Sequence, residues 1–109
     1  MKSGMVKKGI DKVYLMIQGK LMEFEFDPDK SMSNKVKHGI DFVEAQALWQ
    51  DDRRIIDMAR SDGEIRKMII ASARERCWTG FYTYRRDKVR IISVRRARHE
   101  EKERYAESE

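Results

Sequence analysis

Between Arg54 and Val94 the chain leaves itself almost no connecting residues. Four segments rich in Ile, Val, Thr, Tyr and Met follow one another there: Arg54–Ala59, Glu64–Ala73, Arg76–Tyr84 and Lys88–Val94. Only Ser61-Asp62-Gly63, Arg74-Glu75 and Arg85-Arg86-Asp87 lie near the joints. β-branched and aromatic runs bounded by turn residues read as strands. A parallel crossover needs a dozen or more residues, so these strands can only return antiparallel to their neighbours. Side chains alternate between the two faces of a strand. In the third segment Cys77, Thr79, Phe81 and Thr83 then share one face, and Trp78, Tyr82 and Tyr84 the other. In the fourth, Arg90, Ile92 and Val94 fall together, with Val89 and Ile91 opposite.

The residues ahead of this meander have a different period. Glu23–Phe26 alternates charge and aromatic ring, the pattern of a half-buried strand with Phe24 and Phe26 on one face. Asp27-Pro28 follows, an N-cap residue with Pro at the first helical position. A helix from there should run to about Lys37 and stop at His38-Gly39, because Gly adopts the left-handed C-cap conformation at little cost. Asp41 and Glu44 form a capping-box pair at the start of a second helix, about Phe42–Trp49. Phe42, Ala45, Leu48 and Trp49 share its apolar face. After Val94 the charged stretch 97–106 reads as a closing helix. The order is strand, helix, helix, four-strand antiparallel meander, helix. That order is α+β, with helices packed against an antiparallel sheet.

Residues 1–21 stand apart as a Lys-rich, Gly-punctuated stretch ending just before Met22. They read as a leader or an artificially added segment, which leaves 22–109 as the domain. The other reading is a first strand, Lys12–Ile17, turning at Gln18-Gly19-Lys20 into the next.

Charge narrows the function. The chain has 109 residues and a formal charge of +5. Residues 85–105 hold nine basic side chains against four acidic ones, so the excess is concentrated near the C-terminus. Such a cluster suits a phosphate-bearing partner, and equally a solvated helix face. The single Cys77 cannot close an internal disulfide, which fits a reducing, cytoplasmic setting. No apolar run approaches the ~20 residues of a membrane span. His38 and His99 are far apart, and no CxxC or HExxH spacing occurs, so neither a metal nor a cofactor is expected. No Gly-rich phosphate loop and no GxSxG nucleophile is present.

What remains is cations beside groups that move protons: Lys37, His38, Arg74, Arg85, Arg95, Arg96, Arg98, His99, Glu101 and Tyr105. This set suits cleavage of RNA without metal. The 2′-hydroxyl is its own nucleophile, so the protein must hold the strand, neutralise the phosphorane and move two protons. Arg95 and Arg96 are the strongest candidates, because a strand delivers them. Adjacent strand residues point to opposite faces, so only one of them can aim away from the core helices. Several of these residues also have plain structural readings. His38 serves as part of a C-cap, and His99 pairs with Glu103 at i,i+4.

The quoted segments also carry a resemblance. Phe24-Glu25-Phe26-Asp27, Lys30, Asn34, Lys37-His38-Gly39-Ile40, Phe42 and Glu44-Ala45 resemble the signature of the BrnT family of ribonuclease toxins. Ile91-Ile92-Ser93, Arg95-Arg96-Ala97, Glu103 and Tyr105 resemble that family's closing strand and helix. The likeness runs from Met22 to about Tyr105, with Phe26 where many members have Trp. It implies a RelE-like fold with a basic concave sheet face. It implies metal-free endoribonuclease activity on mRNA that inhibits translation and growth. It implies a BrnA-like antitoxin as inhibitory partner, and operator DNA bound only through that antitoxin. The site residues it carries over are Lys37, His38, Arg95, Arg96 and Tyr105; Arg74 is added on chemistry alone. The competing reading is a non-catalytic module whose basic sheet binds nucleic acid or an acidic peptide.

Overall fold

The computed structural model describes residues 13–17, 19–59, 63 and 65–108. Six strands form one mixed sheet: β1 (Val13–Ile17), β2 (Lys20–Glu25), β3 (Ile55–Ala59), β4 (Arg66–Ala73), β5 (Arg76–Arg85) and β6 (Lys88–Arg96). Their spatial order is β1-β2-β6-β5-β4-β3. The meander is as expected, with β3 through β6 pairing antiparallel in sequence order. The α+β class holds. The strand expected over Glu23–Phe26 is β2, Lys20–Glu25, which ends before Phe26 and joins the meander parallel to β6, through Phe24 opposite Val89 and Glu25 opposite Arg90.

β1 lies within the segment expected as a leader. It pairs antiparallel with β2 from Val13–Phe24 to Ile17–Lys20, which is the hairpin arrangement that the sequence also allows. Residues 1–12 lie outside the described residues.

Helix α1 (Pro28–His38) starts and stops where its caps dictate. Asp27 accepts from the Asp29 and Lys30 amides, and Gly39 closes the helix at φ 84°. Phe42, Ala45 and Leu48 are spaced by three, which suits a 3-10 helix as well as an α-helix. The structure takes the tighter form over Glu44–Gln50, and all three side chains are buried. Asp41 and Glu44 make the reciprocal cap: Asp41 Oδ1 accepts from the Glu44 amide at 2.7 Å, and Glu44 Oε1 from the Asp41 amide at 2.9 Å.

The main core lies between these two helical segments and one face of the sheet. Trp49 meets Phe24 and Tyr82 edge-on, each at 5.1 Å between ring centroids. Gly80 leaves room for Ile69 on the neighbouring strand: a Cβ there would lie 3.2 Å from the Ile69 side chain, tighter than ordinary contact. The closing helix α2 (His99–Glu107) sits on the opposite face, where Thr79 and Arg95 meet its Glu101. None of its residues is buried, so it is held largely by polar links.

One irregularity sets the register. The β5–β6 pairing shifts between Phe81 and Tyr82: Phe81 faces Ser93 while Tyr82 faces Ile91, so Ile92 has no cross-strand counterpart. This bulge overturns the simple alternation. Val89, Ile91 and Val94 are all buried with the helices, and Val94 does not share a face with Arg90. Beyond the bulge Arg96 follows Val94 to the helix side, opposite Trp78, and Arg95 goes to the α2 side, opposite Thr79.

Past the end of β2, the edge of β6 would expose its polar groups. Asn34 replaces the missing strand. Its amide nitrogen donates to Val94 O at 2.9 Å and to Ile40 O at 2.8 Å, and its oxygen accepts from the Val94 amide at 3.2 Å. A buried amide orphaned of its partner costs about 1–3 kcal/mol. Asn34→Ala should therefore lower the unfolding free energy by about that much in urea titration, with the m-value unchanged.

The β4–β5 and β5–β6 hairpins carry non-Gly residues at positive φ: Arg74 (55°) with Glu75 (65°), and Arg86 (51°) with Asp87 (73°). Two-residue turns of this hand favour Asn-Gly. Replacing Arg86-Asp87 by Asn-Gly should stabilise the chain by ~1 kcal/mol and raise the melting temperature by about 4–8 °C. An unchanged melt would show that the turn carries no such strain.

Candidate active site

Four segments bring basic residues to one end of the sheet. α1 ends at His38, the β4–β5 turn presents Arg74, β5 begins at Arg76, and β6 ends at Arg96. A cavity of about 440 Å³ is lined by His38, Gly39, Arg74, Arg76, Trp78 and Arg96. A second hollow of about 560 Å³ adjoins it and shares Arg74, Arg76 and Arg96. It adds Glu75, Cys77 and Lys102. The two together hold three guanidinium groups, an ammonium, an imidazole and a carboxylate.

Each cation is held differently. Arg74 pairs with Glu44 at 3.1 Å, and Glu44 is also gripped by Lys35 at 2.8 Å. Burial works to raise the Glu44 carboxyl, but the Lys35 bond, the Asp41 amide and the charges of Arg74 and Lys35 outweigh it and hold it below its ordinary range. Glu44 therefore stays ionised and holds the Arg74 guanidinium through its Nη1. Arg96 is exposed, with its guanidinium 6.0 Å from the centre of the Trp78 ring. Trp78 is itself a wall: it is 4% exposed, and its indole N–H donates to Ala73 O at 2.9 Å. That bond leaves the indole fixed as a surface for Arg96. Cys77 is half-buried, and burial pushes its thiol up, so it is a poor nucleophile.

Of the residues singled out from sequence, His38, Arg74 and Arg96 meet in this cavity. Lys37 is exposed beside His38 but does not line it. Arg95 and Tyr105 lie elsewhere and are bound to structural partners. Arg95 is on the opposite face, where two nitrogens donate to Glu101 at 2.9 and 3.0 Å and the guanidinium lies 5.3 Å over Phe81. Tyr105 donates its hydroxyl to Asp51 at 2.6 Å; burial first, and then that carboxylate, push its phenol up to about 12. Sequence reasoning missed Arg76, Glu75 and Lys102. The signal for Arg76 was its place across the two-residue turn from Arg74, which puts both at one strand end.

Among the described residues no three His, Cys, Asp or Glu side chains gather where they could hold a metal ion. No described helix is long and apolar enough to cross a membrane.

The comparison with known families decides the assignment. Residues 26–101 match the family described as "Ribonuclease toxin, BrnT, of type II toxin-antitoxin system". This chain belongs to the BrnT family. The match covers α1, the 3-10 helix, the whole meander and the start of α2, and with them every residue of the first cavity. No curated protein matches the chain. BrnT membership makes a toxin role within a toxin–antitoxin system the frame for reading the cationic end of the sheet.

Proposed function

We propose that this BrnT chain is a metal-independent endoribonuclease, and that the cavity around Arg96 is where it cuts. The observation that carries the reading is the convergence of Arg74, Arg76 and Arg96 on one open hollow beside His38. In the reaction, the ribose 2′-oxygen forms a bond to the adjacent phosphorus while the bond to the 5′-oxygen breaks. A base takes the 2′-hydroxyl proton and an acid protonates the departing 5′-oxygen. The products are a 2′,3′-cyclic phosphate and a 5′-hydroxyl. The phosphorane between them carries more charge than the diester, so fixed guanidinium groups bind it better than the substrate. His38, Glu75 and Lys102 border the same hollows and are the proton-moving groups within reach of them.

Cleavage of cellular RNA would stop translation and growth, so the activity calls for a neutralising partner. We take that partner to be a BrnA-like antitoxin in the same cytoplasm, acidic where it meets the exposed cations, with operator DNA contacted through it. Association of such surfaces should weaken as salt rises.

RNA cleavage should persist undiminished in EDTA, with cyclic-phosphate ends on the products. Activity lost in chelator and restored by Mg²⁺ or Mn²⁺ would overturn the mechanism. RNA bound but left intact would favour the non-catalytic binding module.

A further inference from the structure

The other end of the sheet carries a second basic hollow, of about 340 Å³. Lys30 reaches it from α1, Arg66 from β4, Arg85 from β5, and Arg90 and Ile92 from β6. Ile92 is the residue that the bulge leaves without a cross-strand partner. Bulges re-aim side chains where a regular strand would bury or pair them. Here the effect is an apolar patch set among four cations.

Two of these cations are only loosely compensated. Arg85 and Arg90 share one carboxylate, Glu25, at 3.6 and 3.5 Å. These are long distances beside the 2.9 and 3.0 Å fork that locks Arg95 to Glu101. One carboxylate cannot saturate the donors of two guanidinium groups. The pair therefore keeps N–H groups with which to take another anion.

The shape says which anion. Arg66, Arg85 and Arg90 stand on three adjacent strands, and strands lie about 4.8 Å apart, so the cations span ~10 Å across the sheet. A lone phosphate ion cannot touch all of them. Successive phosphates of a nucleic-acid backbone can. Along β5, Trp78 at the first cavity and Thr83 at this hollow are separated by five residues, roughly 17 Å, and they lie on opposite faces of the sheet, as do Arg96 and Arg90. A strand that reaches both must cross from one side of the sheet to the other, so at ~3.4 Å per nucleotide it needs more than about five nucleotides.

We propose that this hollow is a second binding site for the RNA phosphate backbone, engaged only by substrates long enough to extend from the cutting cavity. The inference rests on the ribonuclease reading. The site raises affinity for long single strands and does not take part in the chemistry.

The test compares single-stranded RNAs of 4 and 15 nucleotides, by fluorescence anisotropy and by single-turnover cleavage. For the pair Arg85→Ala and Arg90→Ala, affinity for the 15-mer should fall at least five- to tenfold, with the loss shrinking below twofold for the 4-mer. The slope of log affinity against log salt should drop by about 1.4 for the 15-mer, near 0.7 for each phosphate that is no longer neutralised. Lys30→Ala, which leaves the Glu25 pairs in place, should act in the same direction more weakly and controls for misfolding. Equal losses for both lengths, or an unchanged 15-mer slope in all variants, would overturn the proposal. So would competition at these residues by an acidic peptide with no RNA effect. If the wild-type chain binds the 15-mer in this length-dependent way but cleaves neither RNA, the ribonuclease reading fails and the binding site stands.

Discussion

Arg96→Ala should leave the fold intact and lower the rate of RNA cleavage by roughly 10²–10³. Loss of one preorganised donor from a transition-state site is worth about 3–4 kcal/mol of barrier. The physical case is specific to Arg96. It is exposed, it ends a paired strand, and its guanidinium rests over the fixed Trp78 ring in the cavity shared with His38, Arg74 and Arg76. An exposed side chain outside the packed core costs little stability to remove. Arg96→Lys should also lose much of the rate, because an ammonium keeps the charge without the planar fork that spans two phosphate oxygens. RNA binding should weaken far less than turnover in both variants. Measured single-turnover rates at saturating protein separate the two effects.

Arg95 should behave in the opposite way. Arg95→Ala or Glu101→Gln should cost about 3 kcal/mol of stability, since either change leaves one partner of a mostly buried ion pair uncompensated. A melting temperature lower by roughly 10–20 °C is the expected reading at this chain length. The side chains are only 22% and 16% exposed. Glu101 is the hub of the α2 face: it also accepts from the Arg98 amide at 2.7 Å and the Thr79 hydroxyl at 2.9 Å. The Arg95 hydrogen bonds, working against burial and helped by those two donors, hold its carboxyl down to about 2. A depressed folded pKa means that the unfolded chain binds the proton more readily. The stabilisation is then fully present above the ordinary value of 4.5 and is lost as pH falls toward 2. In Glu101→Gln that part of the acid sensitivity should vanish. An Arg95→Ala chain that melts like wild type but no longer cuts RNA would reverse the assignment of the two arginines.

That assignment shows where sequence reading stops. Local chemistry was legible. Asp27-Pro28, Gly39 and the Asp41–Glu44 pair place the starts and stops of the helical segments, because each acts through its own backbone within a few residues. The short joints made the meander unavoidable. The direction of Arg95 and Arg96 was not legible, because it hangs on whether Ile92 is counted in the alternation. A bulge is a pairing event between two strands, and nothing in the string IISV marks it. The parallel seat of β2 on β6 is likewise a long-range choice, fixed by burying Phe24 against Val89. The fate of Tyr105 depended on Asp51, 54 residues away, which no local pattern connects. His38, Arg74 and Arg96 were nameable as basic residues near strand and helix ends. Their meeting, and the addition of Arg76, required the topology.

The place where RNA is cut can be read without turnover. A non-cleavable dinucleotide, with a 2′-O-methyl group at the scissile position, can be titrated into the protein while the arginine side-chain N–H signals are followed by NMR. Signals of Arg74, Arg76 and Arg96 should shift together and saturate with one binding curve, while Arg95, locked to Glu101, stays in place. Binding of the dinucleotide with those three signals unmoved would put the cutting site elsewhere on the protein.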